Sequence, residues 1–148
     1  MPRRNLSLRL ALSLTTALGV VGPALAQASA EPPARVGQIT CVTGSVSYNG
    51  AASNGGWVDA TDNYPLVMGD SLFTQSSAQA SIMLDASSMT LAPQTEMQLT
   101  ALDDENFAAT VSQSELFLDL TALQPGQTYS IDTPRGTVTM NQAGMYDI

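Results

Sequence analysis

The chain contains no histidine and no lysine, and its 148 residues include one cysteine and one tryptophan. It therefore cannot form a Ser-His-Asp or Cys-His nucleophile, a Ser-Lys dyad, a Schiff base, a histidine-ligated zinc site or a phosphate-binding loop with its lysine. Chemistry performed by carboxylates, chiefly glycoside hydrolysis, is left open, but no motif positions a pair of acids for it. The sequence predicts a protein that is not an enzyme and that has no catalytic residue, cofactor or metal site.

The single cysteine, Cys41, excludes an intramolecular disulfide, so the stability of a folded domain must come from an apolar core. Cys41 lies among Ile39, Val42 and Val46 in a segment where apolar and polar residues alternate. This pattern predicts a buried, inert thiol, and an intermolecular disulfide is the alternative. No small-residue lipobox precedes Cys41, which argues against a lipoprotein.

The first residues of the chain have the pattern of an export signal. Arg3, Arg4 and Arg9 precede an uncharged run over residues 10–30, and this run is apolar only in its first half. A basic segment, a short apolar segment and small residues before the cleavage point are typical of a signal peptide. A permanent membrane anchor is the alternative, but polar residues dilute the run below the ~20 mainly apolar residues of a span. The paired arginines leave twin-arginine export open beside general secretion.

We predict that residues 1–26 are the signal peptide and that cleavage follows Ala26 or Ala30. Residues 27–35 are predicted to be a flexible lead-in, because their paired prolines cannot join a sheet ladder. The mature protein is expected in the periplasm or outside the cell, with no stable membrane anchor after cleavage.

Removal of the signal peptide makes the chain strongly acidic. Three of the five basic residues leave with it, so Arg35 and Arg135 face thirteen acidic residues, a net charge of 2 − 13 = −11. Such a surface repels nucleic acid and anionic lipid. A partner steered by charge should be basic or should bring divalent cations.

The mature segment has the alternating pattern of β-strands, because a period of two directs one face of a strand inward. The alternating segments are residues 44–48, 81–84, 89–91, 97–99 and 137–140. Turn residues separate them at Asn49-Gly50, Asn54-Gly55-Gly56, Gly69-Asp70, Pro93, 103–106, Pro125-Gly126 and 134–136. This organisation predicts a single all-β domain of short strands, built as a sandwich, a barrel or a short β-solenoid. Residues 116–120 are more continuously apolar, which suits a strand buried on both sides or a short helical turn.

Short motifs along residues 35–148 resemble those of FecR-type domains. They lie in residues 35–39, 44–46, 57, 65–74, 80–84, 91–95, 126–136 and 144–146. The turn and core positions that carry the resemblance are Gly37, Gly44, Trp57, Gly69, Asp70, Thr133, Pro134, Gly136 and Gly144.

The resemblance implies an all-β periplasmic domain over residues 36–148. In the best-known members such a domain relays a signal from an outer-membrane transporter to a cytoplasmic region that controls a sigma factor. Here the apolar run lies only a handful of residues from the start of the sequence, so no room remains for a cytoplasmic region before it. The expectation is a secreted form of the family that lacks the anti-sigma region, or a truncated member of a longer secreted protein.

Three motifs have both a structural and a functional interpretation. Gly69-Asp70 predicts a tight turn in which glycine supplies positive φ and aspartate bonds the next backbone amides; a ligand contact is the alternative. Residues 132–134, Asp-Thr-Pro, are similar to an aspartic protease motif but lack its glycine and a second copy, so a strand that ends in a proline turn is predicted. The acidic residues 103–105 predict a solvated turn, with calcium binding as the alternative.

The favoured function is a protein-interaction module that binds another envelope protein, of unknown identity, and whose unpaired final strand adds to the sheet of that partner. The alternative is a glycan or cell-wall binding module. It rests on Trp57 with Tyr48 and Tyr64 as a sugar-stacking surface, although a core anchor is the simpler role for Trp57. A degenerate fragment without an independent role is a third hypothesis.

Overall fold

The structure is a computed structural model that describes residues 35–113 and 115–148. The predicted signal peptide and residues 27–34 of the predicted lead-in lie outside the described residues. In the described part of the chain, one short 3-10 turn at Ala51–Ser53 accompanies the strands. The strands are β1 (Gly37–Thr43), β2 (Val46–Asn49), β3 (Val58–Asp59), β4 (Pro65–Leu66), β5 (Ser71–Thr74), β6 (Gln79–Leu84), β7 (Ser87–Leu91), β8 (Glu96–Leu102), β9 (Asn106–Ser112), β10 (Leu116–Leu120), β11 (Thr128–Thr133), β12 (Gly136–Met140) and β13 (Gly144–Asp147).

The strands form two sheets. Sheet A has the order β13-β10-β7-β6-β1-β4, and sheet B has the order β12-β11-β9-β8-β5-β2-β3. The pairs are antiparallel except for β9 and β11, which run parallel. The chain crosses repeatedly from one sheet to the other, so residues far apart in sequence become neighbours in both sheets.

One hydrophobic core joins the two sheets. Sheet A directs Ile39, Ile82 and Leu118 into it, and sheet B directs Leu72 and Phe107 into the same cluster. In most of the long strands every second side chain is buried, as the period of two predicts. The all-β class is confirmed, and the two sheets around a shared core correspond to the sandwich rather than the solenoid alternative.

Residues 116–120, which the sequence pattern left undecided, form strand β10. Leu116, Leu118 and Leu120 are buried, whereas Phe117 and Asp119 face outward. The strand is therefore buried on one side only, and the apolar appearance of the segment comes from a phenylalanine on its outer face.

The prediction that Cys41 is buried is wrong. The register between β1 and β6 shifts between Ile39 and Cys41, since Ile39 pairs with Ile82 and Cys41 pairs with Ser81. The extra residue, Thr40, reverses the inward and outward alternation beyond the bulge. The thiol of Cys41 is therefore exposed.

The prediction that Trp57 is a core anchor is also wrong, because 47% of this residue is exposed. It lies just before the two-residue strand β3, whose side chains are exposed as well. The rings of Tyr48 and Tyr64 instead pack on each other with their centroids 4.7 Å apart, and Tyr48 belongs to the core. The three aromatic side chains therefore do not line a shared sugar-stacking surface.

The final strand was predicted to be unpaired, and this is wrong too. β13 pairs antiparallel with β10 along its whole length, from Gly144 opposite Leu120 to Asp147 opposite Phe117. Its inward side chain, Tyr146, packs against the core, and the Tyr146 hydroxyl donates to the carbonyl of Gln142. The strand already belongs to sheet A and leaves only its outer edge without a neighbour among the described strands.

Candidate interaction surface

Gly69 and Asp70 form a tight turn with a buried carboxylate. Gly69 has a φ of +94°, as predicted. The Asp70 carboxylate accepts the N–H of Val67 at 2.9 Å, three residues before it, rather than the amides that follow, because the turn folds back toward β4. It also accepts the hydroxyl of Tyr48 at 3.0 Å. Burial, with hydrogen bonds to Tyr64 and Asp70, raises the pKa of Tyr48. Both polar groups are thus used within the fold.

The β11–β12 hairpin contains Thr133, Pro134 and Gly136. The Thr133 hydroxyl accepts the N–H of Arg135 and donates to the carbonyl of Gly136 at 2.8 Å. Asp132 is exposed and accepts the hydroxyl of Thr137. The predicted strand and proline turn are confirmed, and the hydrogen bonds of these residues are local.

Gly37 and Gly44, two further glycines of the motif, lie where the chain packs closely. A Cβ at Gly37 would lie 2.9 Å from the Cδ2 of Leu84. Gly44 has a φ of +75°, and a Cβ there would lie 3.0 Å from the Cα of Ala78. Together with exposed Trp57 and Gly144 at the start of β13, the motif residues are distributed over both sheets. They support the fold and do not converge on one site.

The acidic residues 103–105, with Asn106, form the predicted exposed turn. The Asp103 carboxylate accepts the N–H groups of Glu105 at 2.9 Å and Asn106 at 2.8 Å. These backbone hydrogen bonds lower the pKa of Asp103. Among residues 35–113 and 115–148, no group of three or more potential metal ligands is assembled.

Arg35, the last residue of the predicted lead-in, is buried against the domain. Its guanidinium forms an ion pair with Asp85 at 2.8 Å and donates to the Tyr129 hydroxyl. Burial alone would lower the pKa of Arg35, but Tyr129 and Asp85 outweigh burial and raise it. Arg35 therefore connects the β6–β7 turn of sheet A to β11 of sheet B.

The two sheets have four edges of unequal length. β3 and β4 contain two residues each, and β4 includes a proline, so both offer little backbone for pairing. β12 and β13 are the longer edges. On the solvent-facing face of sheet B, Thr137 and Thr139 of β12 lie opposite the polar residues Asp132 and Ser130 of β11. The solvent-facing face beside β13 is different, because it combines apolar and acidic side chains.

The register of β13 shows which of its backbone groups are free. Leu116 and Ile148 exchange both backbone hydrogen bonds, at 2.9 and 3.0 Å. In an antiparallel ladder, hydrogen-bonded pairs alternate with non-hydrogen-bonded pairs, so Leu118 and Tyr146 also exchange backbone hydrogen bonds. The pairs between them and beside them, Phe117–Asp147 and Asp119–Met145, are non-hydrogen-bonded pairs. The N–H and C=O groups of Met145 and Asp147 therefore point away from β10. No described strand pairs with them.

Four side chains make the outer face beside this edge a distinct surface. Met145 is 85% exposed and lies opposite Asp119, whereas Phe117 is 43% exposed and lies opposite Asp147. With Ser88 and Thr90 they line a shallow pocket of about 280 Å³. We call Phe117, Asp119, Met145 and Asp147 the β13 surface. The sequence-based prediction did not include this surface. The signal for it was the alternation of Phe117 and Asp119 with the three buried leucines of β10, which directs both side chains outward.

A second concave surface, of about 540 Å³, lies between the β10–β11 loop and the β12–β13 loop. Gln124, Gln127, Asn141 and Gln142 supply amide groups to its lining, which contains no charged or aromatic residue. The Gln127 side chain is already used, since it accepts the N–H of Gln124 and donates to the carbonyl of Asp104. This cleft has neither the charge nor the exposed apolar anchors of the β13 surface.

Comparison with protein-family models, with curated proteins and with solved structures finds no match to this chain. Within the part of the chain that the structure describes, no helix is long and apolar enough to cross a membrane. The strands and their shared core define the fold class as all-β. The geometry favours the β13 surface as the candidate site.

Proposed function

We propose that this chain is an exported, non-enzymatic protein-interaction module of the FecR type, which binds another protein of the bacterial envelope through the β13 surface. One observation carries the proposal: the outer edge of β13, with which no described strand pairs, lies beside the exposed side chains of Phe117 and Met145. Exposed apolar side chains next to an open strand edge are typical of protein contacts. The FecR-like motifs and the export signal of the sequence support the family and the compartment.

Site-specific photo-crosslinking in living cells tests the interaction. A photoreactive amino acid replaces Met145 in one strain and Met68 in a control strain. Met68 is also exposed, at 63%, but it follows β4 at the opposite edge of sheet A. We expect a discrete crosslinked protein from position 145 and none from position 68. The same products from both positions, or none from either, would contradict the proposal.

Export is tested separately by sequencing the N-terminus of the protein recovered from the periplasmic or extracellular fraction. Cleavage after Ala26 predicts a first residue of Gln27, and cleavage after Ala30 predicts Glu31. Recovery of the chain in the cytoplasm with Met1 or Pro2 at its start would contradict export. The outcome does not depend on the interaction, so the two parts of the proposal are tested independently.

The glycan-binding hypothesis has no specific observation in its favour. Trp57 is exposed, whereas Tyr48 is buried and the partly buried Tyr64 packs on the Tyr48 ring. The uncharged cleft between the loops contains no aromatic side chain in its lining. Stacking of a sugar on an aromatic ring therefore has no prepared surface there.

A further inference from the structure

We propose that the partner contributes an extended segment that pairs antiparallel with β13 and carries a basic residue two positions before an apolar residue. This inference rests on the proposed function, and it specifies the chemistry of the partner at the β13 surface.

The backbone of β13 is arranged to accept one further strand. Met145 and Asp147 each direct an N–H and a C=O to the outer edge, as the exchanged bonds between Leu116 and Ile148 require. No strand of the described residues pairs with these groups. A strand added at this edge satisfies all four groups, and antiparallel pairing is the slightly more stable arrangement per residue. Each of the two residues would then form a hydrogen-bonded pair with one residue of the partner.

The side chains of the same two residues define what the partner should carry. Met145 and Asp147 are two apart, so both lie on the outer face of sheet A. In an antiparallel partner, the residue opposite Asp147 comes two positions before the residue opposite Met145. Cross-strand neighbours stabilise a sheet when opposite charges or two apolar side chains face each other. The preferred partner sequence is therefore basic, any residue, apolar.

The second row of the β13 surface extends this preference. Asp119 is the neighbour of Met145 on β10, and Phe117 is the neighbour of Asp147. A long basic side chain opposite Asp147 can cover the ring of Phe117 with its methylene groups while its charge stays near the carboxylates. An apolar side chain opposite Met145 enters the shallow pocket of about 280 Å³.

The charge of this surface argues against a second copy of the chain as the occupant. In a symmetric antiparallel pairing that uses both Met145 and Asp147, Asp147 of one copy lies opposite Met145 and diagonal to Asp147 of the other copy. Asp147 then has no opposite charge across from it, and like charges across strands are destabilising. The two arginines of the described part cannot relieve this repulsion. Arg35 is paired with Asp85, and Arg135 lies in the β11–β12 hairpin of the other sheet.

Titration of the mature protein with labelled peptides tests the inference by fluorescence anisotropy. The peptides have about nine residues, within the usual length of a strand. The first has a threonine background with Lys-Thr-Leu at its centre, the second has Glu-Thr-Leu, and the third has the reversed order Leu-Thr-Lys. The protein variants are Asp147→Asn, Met145→Pro and Met145→Ala, with Asp104→Asn as the charge control.

We expect the Lys-Thr-Leu peptide to bind best and to bind more weakly as salt is raised. Asp147→Asn should weaken its binding about threefold, as expected for one exposed charge pair, and Asp104→Asn should not change it. Met145→Pro removes an outward N–H that β10 does not use, so it should weaken binding about fivefold more than Met145→Ala does. Circular dichroism identifies any variant that fails to fold, and Asp147→Asn still provides a test in that case.

Equal binding of the Lys and Glu peptides, or no binding of any peptide to the wild-type protein, would overturn the inference. A preference for the reversed peptide would overturn the antiparallel assignment. If these peptides fail but position 145 still crosslinks a protein in cells, the proposed interaction function stands and the partner chemistry inferred here is wrong. The two failures are therefore distinguishable.

Discussion

The hydroxyl of Tyr48 donates a hydrogen bond of 3.0 Å to the carboxylate of Asp70 inside the domain. The second carboxylate oxygen of Asp70 accepts the N–H of Val67 at 2.9 Å. This contact connects β2 to the turn before β5. Both side chains are buried, so removal of one leaves the polar group of the other without this hydrogen-bond partner, and water does not reach it.

Asp70→Ala should lower the free energy of unfolding by about 3 kcal/mol, because it leaves the Tyr48 hydroxyl and the Val67 amide unpaired. Tyr48→Phe should cost about 1.5 kcal/mol, and the double variant should cost less than the sum of the two. Urea denaturation measures each value. Asp104→Ala, at an exposed acid, is the control and should change stability by less than about 0.5 kcal/mol. Additive effects would show that the two side chains do not interact.

Stability should fall at alkaline pH in part because of Tyr48. Its pKa is raised in the folded protein, so the unfolded chain loses this proton first, near the ordinary tyrosine value of about 10. The stabilisation of the folded state by the protonated Tyr48 hydroxyl is complete below about pH 10 and is lost as the pH rises above that value. Urea unfolding at about pH 8 and about pH 11 should show a smaller decrease for Tyr48→Phe than for the wild type. An identical decrease in both proteins would contradict this assignment.

Arg35 and Arg135, the two arginines among the described residues, should differ in their contribution to stability. Arg35→Ala removes a buried guanidinium that donates to Tyr129 and Asp85, and we expect a loss of about 2 kcal/mol. Arg135→Ala, the matched control in an exposed hairpin, should change stability by less than about 0.5 kcal/mol. Asp85→Ala should cost less than about 1 kcal/mol, because the Asp85 side chain is 67% exposed. Equal effects of the two arginine substitutions in urea denaturation would refute a special role for Arg35.

Gly44 and Gly55 provide a matched pair for the cost of close packing. Their φ angles, +75° and +79°, are nearly the same, but only Gly44 has neighbours within 4 Å of an added Cβ. Alanine at Gly55 should cost about 1 kcal/mol for the left-handed backbone alone. Alanine at Gly44 should cost about 2 kcal/mol more, because the Cβ meets the backbone of Ala78. Thermal denaturation of the two variants compares them directly, and similar melting temperatures would exclude the packing contribution.

The thiol of Cys41 should react in the folded protein. Because the bulge at Thr40 directs Cys41 outward, a maleimide reagent should modify it without denaturant, at a rate within about tenfold of the rate in urea. Cys41→Ser should change the free energy of unfolding by less than about 0.5 kcal/mol. A thiol that reacts only after unfolding would contradict the outward position.

Much of the fold could be predicted from local pattern. Val46 and Tyr48 are separated by one polar residue, as are Met89 and Leu91, and this alternation predicted strands. These four side chains are buried as expected. Cys41 departed from prediction because a bulge between two strands is a property of their pairing. Trp57 departed because large apolar residues can remain at the surface when the strand beside them is short.

The candidate site was less predictable than the fold. The sequence located a strand at residues 144–147 but gave no partner for it, because β10 lies 24 residues before Gly144 at its nearer end, Leu120 (144 − 120 = 24). Phe117 and Asp119 looked like part of a continuous apolar run until the pairing with β7 and β13 placed them on the outer face. The FecR-like motif marked turns and packing glycines, and of its turn and core positions only Gly144 lies in β13.

By itself, the sequence determined the absence of histidine and lysine chemistry, the acidity of residues 31–148 and the period of two that makes this part all-β, and it predicted an export signal. These are properties of composition and of neighbouring residues, so no tertiary contact is needed to establish them. The tertiary structure decided that β13 is an edge among the described strands and that Met145 and Asp147 direct their N–H and C=O groups away from β10. An edge exists only where no further strand pairs, and register depends on residues far apart in the chain, so local pattern cannot specify either.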